Sequence, residues 1–122
     1  MSLHIDARQM AALGQAMRRG FVHDAIARLR RRFPEATSRH SDETMRLFVE
    51  HGIERARQHA LEAVSDVERW LALMMRLGPY FDSGDQPEFA AVRNALRNLE
   101  VYGPIRLDEA EAAAAELAPP PA

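Results

Sequence analysis

Apolar residues recur at helical spacing along most of this 122-residue chain, and their phase predicts its elements. Met10, Leu13, Met17 and Phe21 form a first stripe, with Asp6 placed to cap the helix that carries it. From Val22 the stripe moves. Val22, Ile26, Leu29 and Phe33 lie on a face rotated by roughly 140°, at ~100° per residue. Gly20 stands at the change, so the helix either breaks near it or runs on against different neighbours. Glycine's poor helix propensity favours the break. Phe33-Pro34 ends the helix, because a residue before proline is pushed out of the helical region.

Pro34 to His40 reads as a loop, and Ser41 as an N-cap with Asp42 and Glu43 in the first turn, where they meet the helix dipole. Met45, Phe48, Val49, Gly52, Ile53, Ala56, Ala60 and Ala63 then hold one face. Its small members Gly52, Ala56 and Ala60 let another helix come close, either within the chain or from a second copy, so a homodimer is a candidate. Ser65-Asp66-Val67-Glu68 has the form of a capping box and argues for a new start. Val67, Trp70, Leu71, Met74 and Leu77 nevertheless stay in phase with the preceding stripe. One bent helix from Asp42 to Leu77 is the alternative to a short break near Ala63, and the capping pattern favours the break.

Gly78-Pro79 is a stop, glycine being able to take a left-handed C-cap and proline unable to continue. Tyr80 to Gly84 forms a loop with two aromatics, and Asp85-Gln86-Pro87-Glu88 restarts a helix whose core stripe is Phe89, Val92, Leu96 and Leu99. That helix ends before Gly103-Pro104. A last helix from about Asp108 to Leu117 is mostly alanine and glutamate, with little to bury. No strand-like alternation and no internal repeat is visible. The expectation is one all-α domain over residues 1–117, an irregular bundle of four to five helices, followed by a Pro-rich tail at 118–122.

A chain of this length can bury roughly two-thirds of its unfolded surface, enough for a core without staples. There is no cysteine, hence no disulfide framework, thiolate nucleophile or zinc knuckle. No apolar run approaches the ~20 residues of a membrane span, and the first residues lack signal-peptide character. A cytoplasmic protein is expected. Net charge is only −2, but residues 1–40 carry eight Arg against Asp6, Asp24 and Glu35, whereas residues 41–122 carry eight Arg against fifteen acids. Basic and acidic helices side by side, in one bundle or a dimer, account for this balance of +5 against −7. A basic partner-binding face is the sharper alternative.

Reaction chemistry is hard to find. His51 and His59 return to nearly the same helix face, but ~12 Å along the axis is too far for one metal ion. His23 with Asp24 and His40 with Asp42 read as structural or solvated pairs. No H-E-x-x-H, phosphate loop or G-x-S-x-G is present. Asp82 with Asp85 and Glu109 with Glu111 lie near helix starts, where capping explains them. No catalytic residue, metal or cofactor is expected. Arg28, Arg31 and Arg32 share a face near a helix C-terminus, where positive charge is favourable; phosphate contact is the alternative, but no helix-turn-helix unit accompanies it. Nucleic acid and membrane are therefore not the expected partners. Trp70 reads as a packing anchor, while Tyr80 and Phe81 either close the core or form a contact knob.

Phe48-Val49-Glu50-His51-Gly52-Ile53-Glu54-Arg55-Ala56, then Asp66 to Met74 and Arg76-Leu77-Gly78-Pro79-Tyr80-Phe81-Asp82, resemble segments of a family of small bacterial helical proteins. Leu29 to Glu35 resembles the arginine-rich, Phe-Pro-Glu helix end these proteins carry upstream. The proteins are similar to accessory products encoded beside effectors of the type VI secretion machinery, in the manner of co-chaperones or adaptors. The likeness covers about residues 21 to 110. It departs at His59-Ala60, where such proteins have Tyr-Gly, and at Pro87-Glu88-Phe89, where they have Pro-Trp. The resemblance implies a non-enzymatic binding role, with a secretion effector or its chaperone as partner. An immunity-type protein that neutralises a cognate toxin is the alternative. Leu77, Gly78, Tyr80 and Phe81 at the glycine-proline corner, and Arg28, Arg31 and Arg32 on the basic helix end, are the candidate partner-binding residues.

Overall fold

A computed structural model describes residues 7–117, with side chains from residue 14 onward. The Asp6 cap, the side chains of Met10 and Leu13, and the Pro-rich tail lie outside the described residues. Every regular element among these residues is helical. The helices are α1 (Ala7–Arg32), α2 (Pro34–Thr37, a single turn), α3 (Asp42–Gln58), α4 (Val64–Leu77), α5 (Ala90–Arg97, entered through a 3₁₀ turn at Pro87–Phe89) and α6 (Gly103–Ala115). The chain divides into two compact units, Met1–Arg46 and Leu47–Ala122.

In the first unit α1 runs unbroken through Gly20, so the break favoured from the sequence does not occur. A glycine costs an exposed helix about 1 kcal/mol, too little to stop a run with good helix formers on both sides. Among its described side chains Val22, Ala25 and Leu29 are buried, and the predicted stop at Phe33 holds. The segment after it is not all loop: proline, which suits the first turn of a helix, opens α2. Arg30 pins the connection by donating to the carbonyls of Thr37 and His40 and to Asp42 Oδ1, each at 2.9 Å. Ser41 caps α3 as expected, its Oγ accepting from the Thr44 amide at 3.2 Å.

In the second unit the break before α4 is present, and it falls where Ala60 takes φ +57°. The Leu61 amide reaches back to the Ala56 carbonyl at 2.9 Å, the six-residue closure of a Schellman-type helix end. The Ser65–Glu68 capping box is not used. Helix α4 already begins at Val64, so Ser65 lies inside it and no side chain caps the helix. Trp70, Leu71, Leu73 and Met74 are buried to within 2%. Gly52 is where α3 meets them: a Cβ there would lie 2.4 Å from Leu71 Cδ2 and 2.8 Å from Met74 Sδ. This part of the small-residue face is thus spent on packing inside the unit.

The last helix differs most from expectation. It opens at Gly103-Pro104 rather than near Asp108, with proline again in the first turn, and it contributes to the core. Leu107, Ala110 and Ala114 have no exposed surface. Three small or medium residues on one face let α6 lie close against α4 and α5, which is how an alanine-rich helix finds something to bury. Arg69 of α4 bridges Asp108 and Glu111 of α6, and the Glu111 hydrogen bond in particular raises its already high pKa.

Candidate functional site

The glycine-proline corner is built from the end of α4. Gly78 takes φ +100° and its amide still reaches the Met74 carbonyl at 2.8 Å, so the chain leaves the helix at a sharp angle only glycine adopts freely. A turn follows, with the Phe81 amide on the Gly78 carbonyl at 3.3 Å and the Gly84 amide on the Tyr80 carbonyl at 3.0 Å. This turn sends the two aromatics in opposite directions. Phe81 is 1% exposed, its ring centroid 5.0 Å from that of the fully buried Trp70. Tyr80 is 62% exposed.

The four corner residues therefore do not form one surface. Phe81 leaves the candidate partner-binding set, because its ring fills core space beside Trp70, while Leu77 and Gly78 are half-buried. Tyr80 remains, and it is supported rather than free. Its ring meets that of His51 edge-on at 5.0 Å, and His51 Nε2 lies 3.2 Å from the Pro79 carbonyl.

Behind the corner lies a polar cluster the sequence did not reveal. Asp82, read as a helix-capping residue, instead turns inward with a side chain only 1% exposed. Its Oδ2 accepts from Arg55 Nε and Nη2 at 2.8 and 2.6 Å and lies 3.3 Å from His59 Nε2. Burial pushes the Asp82 carboxyl up, but the hydrogen bonds from His59 and Arg55, with the Arg55 charge, outweigh it and hold the group below the ordinary aspartate value. His59 also stacks on Trp70 at 5.0 Å. Arg55, His59 and Asp82 are thus committed to one another and to the corner's foundation. A histidine against a buried carboxylate can also orient a general base, but no nucleophile among the described residues is bonded to this imidazole.

The arginine run gives a different picture from the one its spacing suggests. Arg28, Arg31 and Arg32 are exposed, with the Arg32 guanidinium 5.3 Å above the Phe33 ring. Arg28 is engaged in an interaction of its own. Arg30, outside the candidate set, does the structural bonding. The basic end of α1 is therefore part anchor and part solvated face. His23 and Asp24 pair at 3.5 Å in full solvent. Among the described residues no three His, Asp or Glu side chains gather as metal ligands would, and no helix is long and apolar enough to cross a membrane.

Arg106 is the residue sequence reading missed most completely. It is 2% exposed, and its guanidinium donates to the carbonyls of Val101 at 2.9 Å, His59 at 2.8 Å and Leu96 at 3.2 Å. Its sequence signal is faint: one Arg beside the apolar Leu107-Ala110-Ala114 phase of a helix start. Compared with protein-family models, with curated proteins and with solved structures, the chain matches none.

Proposed function

We propose that this protein acts by contact with another protein, as a non-enzymatic accessory or adaptor, and that Tyr80 at the Gly78 corner anchors the partner. The observation that carries the reading is the contrast between a ring 62% exposed and neighbours that are fixed: Phe81 and Trp70 in the core, and Asp82 held by Arg55 and His59. Aromatic side chains dominate interface energetics, and one presented on an ordered turn loses little freedom on binding. The committed state of the Arg55–Asp82–His59 cluster fits a structural role better than a catalytic one. The finer proposal, an adaptor or co-chaperone that helps load a type VI secretion effector in the cytoplasm, rests on the resemblance of the α3, α4 and corner segments to such accessory proteins.

The test is affinity capture from the native host with tagged wild-type chain and with Tyr80→Ser, read by mass spectrometry. The expected result is a secretion effector or its chaperone held by the wild type and lost from Tyr80→Ser, with the thermal midpoint of the variant unchanged. Capture that is indifferent to Tyr80→Ser removes the corner from the contact surface. Recovery of a lone toxin instead makes the chain an immunity-type protein.

A further inference from the structure

Helix α6 opens on two residues that do not suit a helix start. Tyr102 stands at the N-cap, where a short polar side chain is preferred, and Ile105 in the first turn, where an acid is preferred; no side chain caps the helix and its first turn holds no acid. The core does not use them either. Tyr102 is 71% and Ile105 48% exposed, and Leu99 just before them is 57% exposed, so three of the seven exposed large apolar side chains among the described residues fall within seven residues of chain. All three belong to the Leu47–Ala122 unit.

The backbone beneath this patch is fixed. The Val101 amide closes a turn on the Asn98 carbonyl at 3.0 Å, the Tyr102 carbonyl accepts from the amides of Ile105 and Arg106 at 3.0 and 3.1 Å, and the buried Arg106 guanidinium holds the carbonyls of Leu96 and Val101. Gly103 packs closely, a Cβ there lying only 2.8 Å from Leu61 Cδ2. Covering the patch therefore costs little ordering of the chain. Its rim carries both signs of charge. Arg97 and Glu100 stand on either side of Leu99 in the chain and Glu109 follows Ile105 by about one helical turn, all three exposed and none in an ion pair among the described residues.

We propose that this patch is a self-association surface, through which two copies of the chain meet at Leu99, Tyr102 and Ile105 about a twofold axis. A patch that faces its own copy across a twofold closes by symmetry alone and needs only the residues of that one surface. The unpaired rim selects this occupant. Arg97 of each copy can meet Glu100 and Glu109 of the other, so the surface is complementary to itself in charge as well as in apolar character. Three such side chains expose roughly 300 Å² per copy, within the range of functional patches on monomers but below a standard interface, so the dimer is a weak one, in the micromolar range. The association uses neither Tyr80 nor the Gly78 corner and stands apart from the adaptor reading.

Sedimentation equilibrium on the whole chain, from about 1 to 500 µM, reads the proposal directly. The wild type is expected to dimerise. The decisive variant is Tyr102→Ser with Ile105→Glu in one chain, which removes two of the three apolar side chains and writes a capping box at the start of α6, so the fold of the monomer is kept or strengthened. Dimerisation should weaken at least about tenfold, while the thermal midpoint at the lowest concentration does not fall. A charge exchange tests the twofold pairing. Arg97→Glu in one chain, and Glu100→Arg with Glu109→Arg in another, should each weaken self-association, whereas an equimolar mixture of the two should restore it. A wild type that stays monomeric to the top of the range overturns the proposal; capture of a different protein by the wild type and not by Tyr102→Ser with Ile105→Glu then gives the patch to that protein. A dimer indifferent to Tyr102→Ser with Ile105→Glu, or a mixture that fails to re-associate, overturns it as well.

Discussion

Arg106 Nη1 donates to the main-chain carbonyl of His59 at 2.8 Å, across 47 residues of chain. A buried cation in the first turn of α6 thereby fastens the left-handed turn between α3 and α4, while its other bonds close the α5–α6 connection at Leu96 and Val101. Among the described residues no carboxylate hydrogen-bonds to this guanidinium, and its partners are main-chain carbonyls. Arg106→Met, which keeps a similar stem but removes every donor, is expected to cost about 2 to 4 kcal/mol in urea unfolding, because one buried and two part-buried carbonyls lose a charged partner. Arg106→Lys should recover only part, since an ammonium cannot reproduce the planar fork. A loss below about 1 kcal/mol for Arg106→Met places the residue outside the core framework.

Asp82 makes stability depend on pH in a defined direction. Its carboxyl lies below the ordinary aspartate value of 3.8 in the folded chain, so the folded state binds its proton more weakly than the unfolded one. The stability it contributes is therefore fully present above that ordinary value and is lost as pH falls through the lower, folded value. Asp82→Asn should cost about 1 to 3 kcal/mol near neutral pH. The gap between wild type and variant should shrink as unfolding is followed from pH 5 down to roughly pH 2. A gap that stays constant over this range would mean that packing, not the ionised carboxylate, is the source.

How much of this was legible in the sequence follows from what each feature depends on. The Ser41 cap, the stop at Gly78, the buried Trp70 and the all-helical class come from local spacing and from residues with strong conformational preferences, and these appear in the structure. Features that depend on partners distant in sequence were not legible. Asp82 looked like a cap because its two bonding partners lie 23 and 27 residues away. Alanines 110 and 114 looked idle because only α4 and α5 make a face for them. The Ser65–Glu68 pattern failed for a local reason: the helix started one residue before the serine. The corner was found from its aromatics, but which ring turns inward is set by the Gly78 turn, and alternation in sequence does not encode that.

The division at the corner gives opposite expectations for adjacent residues. Phe81→Ser opens a void beside Trp70 and places a hydroxyl in it, so a loss of about 3 to 5 kcal/mol is expected, comparable to Trp70→Ala. Tyr80→Ser removes an exposed ring and a single edge contact with His51, and should stay within about 1 kcal/mol. Thermal or urea denaturation of the two single variants decides it. Equal losses would mean that Tyr80 also belongs to the core, and the Tyr80 contact surface would fall with it.

Three small residues test the backbone account, because a methyl in place of hydrogen should stabilise at residue 20 and destabilise at residues 52 and 60. Gly20 sits at an exposed position in the middle of an unbroken helix, with open space where a Cβ would go, so Gly20→Ala should raise stability by about 0.5 to 1 kcal/mol. Gly52 is also helical, but its methyl would lie 2.4 Å from Leu71 Cδ2 and 2.8 Å from Met74 Sδ, both on fully buried side chains. Overpacking of about 1 to 3 kcal/mol there outweighs the propensity gain, and Gly52→Ala should destabilise. Ala60 is the reverse case: at φ +57° a Cβ is strained by about 1 kcal/mol or more, and the side chain is exposed and buries nothing. Ala60→Gly should therefore stabilise the α3–α4 connection by up to about 1 kcal/mol despite the added freedom of the unfolded chain. Melting curves of the three variants under one buffer give the signs directly. Destabilisation by Gly20→Ala would mean that α1 bends or breaks at that glycine in solution, and destabilisation by Ala60→Gly that residue 60 does not hold the left-handed turn.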